Sequence, residues 1–440
     1  MRYLPHTAED VKEMLAAVGV KSIDGLFECV PPEARRERPL DLPAPLTEWE
    51  LRDKIEGLAQ GGDWQVFTGA GSYAHRIPAL VPYLASRSEF LTSYTPYQPE
   101  MSQGTLQAIF EFQTLISRLT GLAVTNASMY DGATAFTEAA LMAQRCSKKR
   151  ALAVSELAHP HWRQVLETYL AAIGDVELLV LPADAQGRTD YGPLAKLDKP
   201  AALLVQSPNF LGVIEDLPAA AEAIHKLGGL LVVGFAEAFA LGLTKSPGSQ
   251  GADIVVGDGQ SLGLGQGFGG PSVGLMSSKQ EFVRQIPGRL VGKTEDAQGR
   301  RGFVLTLSTR EQHIRRSKAV SNICSNAGHC ALTAAMFMAS TGGTGFRKLA
   351  QVNLDLSEYL KKGLLGLGFK PLGDAPTFNE FALTAPKGFD QKREDLLGKK
   401  ILAGLPLGAW YPKYEGVYLF GATETKTRAD IDAFLAEVSE

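Results

Sequence analysis

Four cysteines are scattered over 440 residues, at 29, 146, 324 and 330, and no two are in a CxxC spacing. That excludes a disulfide framework and a thiolate zinc site, and leaves reduced, mostly buried thiols of a bacterial-type cytoplasm as the expectation. Seven histidines include no HExxH or comparable ligand pair, so no metal site is read. No apolar run reaches the roughly 18 residues that would span a membrane. The opening MRYLPHTAEDVKEML has no apolar h-region and does not read as a signal peptide. Basic excess is lacking too: 44 Lys and Arg against 48 Asp and Glu give a net charge of −4 without long charge runs. Nucleic acid is therefore not an expected partner. Internal repeats and low-complexity tracts are also absent.

What the chain does contain is 45% hydrophobic residues over a length that can bury one large core and a smaller one. The reading is an arm over 1–60, a large domain over 61–345, and a small domain with its linking helix over 346–440. In the arm, Thr7 and Asp10 resemble a capping box opening a helix over 8–17. A Pro-rich piece follows whose Leu40, Leu42 and Leu46 suggest a strand docked on a neighbouring surface. The segment YTPYQPE (94–100) is rigid, because Pro96 and Pro99 fix φ; Tyr94 and Tyr97 read as packing residues or as the mouth of a pocket. Helical spacing covers 104–121, ended by Gly121. A turn at Asp131-Gly132 then precedes a helix from about Ala133, whose small residues resemble a phosphate cup.

From residue 151 a βα rhythm sets in. Strands are read at 151–154, 176–181, 201–206 and 230–235, with helices at 160–172 and 217–227. Short apolar strands alternating with helices imply a mainly parallel sheet covered on both faces. Ligands in such sheets bind outside the carboxyl ends of the strands. Helices are read over 321–340 and 345–366, then strands near 379–383 and 416–420 and a last helix over 429–438. Arg289, Arg300, Arg301, Arg310, Arg315, Arg316 and Lys318 make a basic segment, either a solvated face or one turned to an anion or a subunit.

The stretch ADIVVGDGQSLGLGQGFGGPSVGL (252–275) is the centre of the chain: strand, glycine-rich loop, strand. Its glycines, 269 and 270 among them, imply positive φ or a close approach. In enzymes of the aspartate-aminotransferase fold that use pyridoxal phosphate (PLP), this unit carries the lysine that forms the cofactor's Schiff base. Here it holds no lysine; Lys245 and Lys279 lie outside it.

Taken together, YTPYQPEMSQG (94–104), NASMYDGATA (126–135), HP (159–160), QSPNFLG (206–212), GDGQSLG (257–263), FGGP (268–271), PGRLVG (287–292) and TREQHIRRSKAVSNIC (309–324) resemble the P-protein of the glycine cleavage system. That family is glycine dehydrogenase (aminomethyl-transferring, decarboxylating). The likeness is to its subunit 1, the alpha subunit of the two-chain form, and to the N-terminal half of the single-chain form. It implies a PLP-transferase-like α/β fold (fold type I) and a cytoplasmic α2β2 assembly in which the beta subunit alone binds PLP. Glycine is then decarboxylated on the partner chain, and the aminomethyl group passes to the lipoyl arm of the H-protein. The residues agree with that division. Gln260-Ser261 stands where the partner has His-Lys, and serine forms no Schiff base. The strand position of the carboxylate that would keep the pyridine nitrogen protonated holds Gly234, with Glu237 three residues late.

The same resemblance makes Tyr94, Tyr97 and Gln98 the wall of the partner's pocket. Asp131, Thr134, Gly269 and Gly270 would preserve an empty or water-filled phosphate site, and His159 falls where relatives stack a ring on PLP. Two other readings stand beside it. One is a self-sufficient PLP decarboxylase or aminotransferase using Lys245 or Lys279. The other is a docking module for the lipoyl protein through the basic segment, with salt-sensitive binding.

Overall fold

The structure, a computed structural model, describes residues 5–36, 38–59, 62–91 and 94–440. These form two compact units, 1–62 and 63–440; the boundary read at 60–61 lies outside the described residues. In the first unit, helix α1 (Ala8–Val18) opens on the expected box: Thr7 Oγ1 accepts from Asp10 N at 3.1 Å, and Asp10 accepts from Thr7 N. Gly19 ends it in the left-handed region. A second box, Thr47 with Glu50, opens α2 (Glu48–Leu58).

The second unit is built on a seven-stranded sheet. Its elements in order are α3 (Gln103–Thr120), β1 (Val124–Thr125), α4 (Gly132–Ser147), β2 (Leu152–Ser155), α5 (Pro160–Ile173), β3 (Leu178–Leu181), β4 (Ala202–Gln206), α6 (Leu217–His225), β5 (Leu230–Phe235), β6 (Ile254–Asp258) and β7 (Gly274–Ser278). Spatial order is β1-β7-β6-β5-β4-β2-β3, with β7 alone antiparallel to its neighbours. Along β4, Ala202 and Leu204 pack with α4 and α5 on one face, whereas Leu203 and Val205 pack with α3 and α6 on the other. Burial of alternate residues on opposite faces explains why these strands read as unbroken apolar runs.

A hairpin of β8 (Leu290–Glu295) and β9 (Arg301–Thr306) is stitched to α3 by two glutamines. Gln113 accepts from Val291 N at 2.9 Å and donates to Val291 O at 3.0 Å; Gln103 makes the same pair of bonds to Phe303. Gln113 is buried, so Gln113→Ala leaves two backbone groups unpaired. The expected loss is about 1–3 kcal/mol, read as a lower urea midpoint; an unchanged midpoint would mean the hairpin is held by packing alone.

The helix read over 321–340 starts seven residues later, in α7 (Gly328–Gly366). Side chains hold 321–327 off the helix: Ser321 donates to Glu138 at 2.7 Å, and Asn326 donates to Ala127 O and Ser128 Oγ. The break expected between 340 and 345 is a kink at Gly342, where φ is 59°. Beyond it lies a four-stranded antiparallel sheet, made of β10 (Lys370–Pro371), β11 (Glu380–Thr384), β12 (Leu405–Pro406) and β13 (Val417–Gly421), with its own aromatic core. The last helix, α8, is Arg428–Ser439.

Candidate functional site

The glycine loop leaves the carboxyl end of β6, beside the start of α4. Asp131, read as part of a turn, is the N-cap of α4, and Gly132 is its first residue. Asp131 Oδ1 accepts from Thr134 N at 2.8 Å. The Gly132 N–H is taken at 3.0 Å by Asp258 Oδ2, from the last residue of β6. Asp258 Oδ1 accepts in turn from Gln260 N at 2.9 Å and from Ser272. Burial raises the Asp258 carboxyl above its usual range, against the pull of these three donors. A helix start of this kind offers its N–H groups and dipole to an anion. Here one of those N–H groups, that of Gly132, is taken by the chain's own Asp258. A Cβ built on Gly269 or Gly270 would meet no other atom within 4 Å.

Trp162, on α5, fills the space next to this helix start. A Cβ on Gly132 would lie 2.3 Å from Trp162 Cζ2, and one on Gly234 would lie 3.0 Å from Trp162 Cζ3 and 3.1 Å from Phe136 Cδ2. The volume that a carboxylate at position 234 would need is thus aromatic ring. Both glycines are required by this close approach and not by their φ.

Ser261 is 1% exposed, and its hydroxyl has no hydrogen-bond partner. Gln260 beside it works as a clamp: its amide accepts from Tyr73 N and donates to Tyr73 O, both at 3.0 Å, and also donates to Leu264 O. The two lysines outside the loop are placed elsewhere. Lys279 follows β7 and pairs with Asp253, which precedes β6, so it lies at the opposite end of that strand from Ser261. Lys245 lines a separate cavity of about 220 Å³ with Ser207 and Glu215.

His159 caps α5, and its ring is committed. Nε2 donates to Ala70 O at 3.0 Å, and Nδ1 accepts from His161 N at 3.2 Å. Burial, opposed by the Ala70 bond and aided by the charges of His161 and Arg163, brings its pKa down to about 4, so the ring is neutral. Glu237 is committed as well, accepting from Phe239 N, Asn379 Nδ2 and His75.

Sequence reading missed the group to which Glu237 belongs. His75 Nε2 is 3.0 Å from Glu237 Oε2, and its Nδ1 is 2.9 Å from Glu424 Oε2, with all three side chains buried. Burial alone would lower the His75 pKa, but the two carboxylates outweigh it and carry the value up to about 9. Next to this triad Tyr73 donates to Glu380 Oε2 at 2.6 Å, and Ala70 N donates to Glu380 Oε1. Burial pushes the Glu380 pKa up to about 7, against those two bonds and with the Glu237 charge. His75 and Glu424 lie 349 positions apart, and no local pattern marks the group.

Tyr94, Tyr97 and Gln98 are exposed, and Pro96 between them is buried. Tyr94 and Pro96 line a mainly apolar cleft of about 330 Å³ with Asn326 and the first turn of α7. Of the basic segment, Arg300, Arg301, Arg315, Arg316 and Lys318 are exposed, whereas Arg289 and Arg310 are buried, which corrects the reading of one uniform face. Arg310 is held by Leu307, Ile286 and Gly288 carbonyls.

The fold defines a class before any particular family. The chain has the α/β architecture of PLP-dependent transferases, built on a mainly parallel sheet. A cysteine desulfurase from Thermococcus onnurineus NA1 shares that fold alone: TM-score 0.61 at 15% identity, covering 90% of this chain and 98% of that one.

The particular family follows from closer matches. The family model described as glycine cleavage system P-protein matches residues 1–438, and the chain belongs to that family. A curated protein of Desulfotalea psychrophila, "Probable glycine dehydrogenase (decarboxylating) subunit 1", is 54% identical, over 100% of this chain and 99% of its own length. One of the same name from Geotalea uraniireducens is 50% identical, with the same coverage. A crystal structure of glycine decarboxylase (P-protein) of the glycine cleavage system in inhibitor-bound form matches with TM-score 0.89 at 45% identity, over 100% of this chain and 99% of that one. No described helix is long and apolar enough to cross a membrane.

Proposed function

We propose that this chain is the cofactor-free subunit 1 of a two-subunit glycine decarboxylase, a cytoplasmic oxidoreductase of glycine cleavage. One observation supports the cofactor-free part: Asp258 takes the Gly132 N–H, and Trp162 lies against Gly132 and Gly234, where the family likeness would seat PLP. PLP does not fit the residues present, so no step of the chemistry is routed through it on this chain. Under this reading subunit 2 holds PLP, and the pair assembles as α2β2. It decarboxylates glycine and hands the aminomethyl group to the lipoyl arm of the H-protein. The exposed rim of Tyr94, Tyr97 and Gln98 forms part of the partner's pocket wall and excludes water there. The five exposed cations between 300 and 318 offer the lipoyl carrier a salt-sensitive dock.

The test is to purify the chain alone and with subunit 2, add equimolar PLP, and trap any Schiff base with borohydride. The expected result is an adduct on subunit 2 only, and glycine-dependent CO2 release only when both chains are present. A trapped lysine on this chain, at Lys245, Lys279 or elsewhere, would overturn the reading.

A further inference from the structure

Four of the stretches that carry the family likeness are tied together, with Asn326, around Arg289 and Tyr97. Ala127 N donates to Arg289 O at 2.8 Å, and Asn126 donates to Pro287 O at 3.0 Å. Asn326 donates to Ala127 O and Ser128 Oγ, both at 3.2 Å. Arg310 donates to Gly288 O at 3.0 Å. The side chain at the centre of this knot is Arg289, which is 4% exposed. Its Nη2 donates to the Tyr97 hydroxyl at 3.2 Å and its Nη1 to Asn326 Oδ1 at 3.5 Å. The guanidinium carbon is 5.4 Å from the Tyr97 ring centre, a cation–π distance.

Stability explains this arginine poorly. A guanidinium has five N–H donors, and burying it is costly unless they are used. Here Nε has no hydrogen-bond partner, and the Glu311 carboxylate is 3.9 Å from it. What the arrangement does accomplish is to fix a side chain that is 55% exposed. Arginine can only donate, so the Tyr97 oxygen is the acceptor and its own proton is directed elsewhere. Among the described residues no acceptor takes that proton. A hydroxyl polarised by a cation, with its own proton unclaimed by the described residues, suits a negatively charged oxygen.

We propose that Arg289 is a positioning residue: it holds Tyr97 so that the phenolic proton is offered to an anionic oxygen across the subunit interface. That oxygen belongs to a carboxylate or a phosphate held by the partner, the first from substrate glycine, the second from its cofactor. This rests on the reading that the Tyr97 rim walls the partner's pocket.

The experiment uses the two-subunit holoenzyme with Tyr97→Phe, Arg289→Gln, Arg289→Lys and the Tyr97→Phe/Arg289→Gln pair. The readouts are the KM for glycine, kcat, the rate of PLP loss on dialysis, and the thermal midpoint. Loss of a hydrogen bond to a charged oxygen predicts a change of about tenfold to a hundredfold for Tyr97→Phe. A carboxylate ligand places the change in the KM for glycine, and a phosphate ligand places it in PLP retention. Arg289→Gln is expected to move the same quantity, Arg289→Lys to recover part of it, and the pair to be no worse than Tyr97→Phe within about threefold. Multiplied effects in the pair, or a silent Tyr97→Phe, overturn the proposal. A photo-crosslinking residue at position 97 separates the two layers. Cross-linking to subunit 2 with a silent Tyr97→Phe removes this proposal alone, whereas no cross-link removes the rim reading with it.

Discussion

His75→Ala is expected to destabilise the chain by about 3–5 kcal/mol, the range for removing one partner of a buried ion pair. The reason is local: Glu237 and Glu424 share this one imidazolium, and its removal leaves two buried carboxylates facing each other. The pH dependence has a definite sign. The His75 pKa of about 9 in the fold lies above its ordinary 6.5, so the folded chain binds more protons than the unfolded one between those values. The stability contributed by His75 is therefore complete below pH 6.5 and is lost as pH rises through 9. Glu380 adds a slope of the same sign at lower pH, because its value of about 7 lies above the ordinary 4.5. Urea midpoints of the wild type are expected to fall between about pH 7 and 10, and those of His75→Gln to stay nearly level there. Parallel curves for the two proteins would show that His75 is not the titrating group.

Restoring the missing cofactor residues is expected to fail. Ser261→Lys with Gly234→Asp supplies the Schiff-base lysine and the pyridine carboxylate, yet neither side chain has room. A β-carbon at position 234 would press on Trp162 and Phe136, and the carboxylate it carries would be buried unpaired. Ser261 is itself fully enclosed. Overpacking and an uncompensated buried charge together predict a loss of about 3 kcal/mol or more. No PLP adduct is expected on borohydride reduction of the variant with equimolar PLP. A stoichiometric adduct at position 261 would mean that the seat opens readily, and that its filling does not explain the division of labour.

The parallel sheet was legible because its strands are bounded by turn residues and followed by helices of the right length; β5 runs over the residues read for it. The helix over 321–340 was misplaced because apolar spacing carries no record of side chains such as Asn326 that hold backbone away from a helix. In the site, the absence of lysine from the glycine loop was plain, and so was Gly234. What replaced them was not. Asp258 stood in a quoted motif without a sign that it caps another helix, and Trp162 read as an ordinary helix residue after His-Pro. His75, Glu380 and Glu424 are brought together only by tertiary structure, so a scan for local motifs passes over them. Arg289 was visible as one cation among seven and as a letter of PGRLVG, with nothing to mark its burial or its bond to Tyr97.

Asp258 at the start of α4 is a tethered competitor. A dissolved phosphate ester would have to displace a group that never diffuses away, whose effective concentration is on the order of millimolar or more. Under the proposed function, a modest excess of cofactor is therefore not expected to recruit this chain. Under the proposed assembly, the PLP content of a purified complex is a count of its subunit 2 chains, and a ratio near one cofactor per two polypeptides is the stoichiometry expected at saturation.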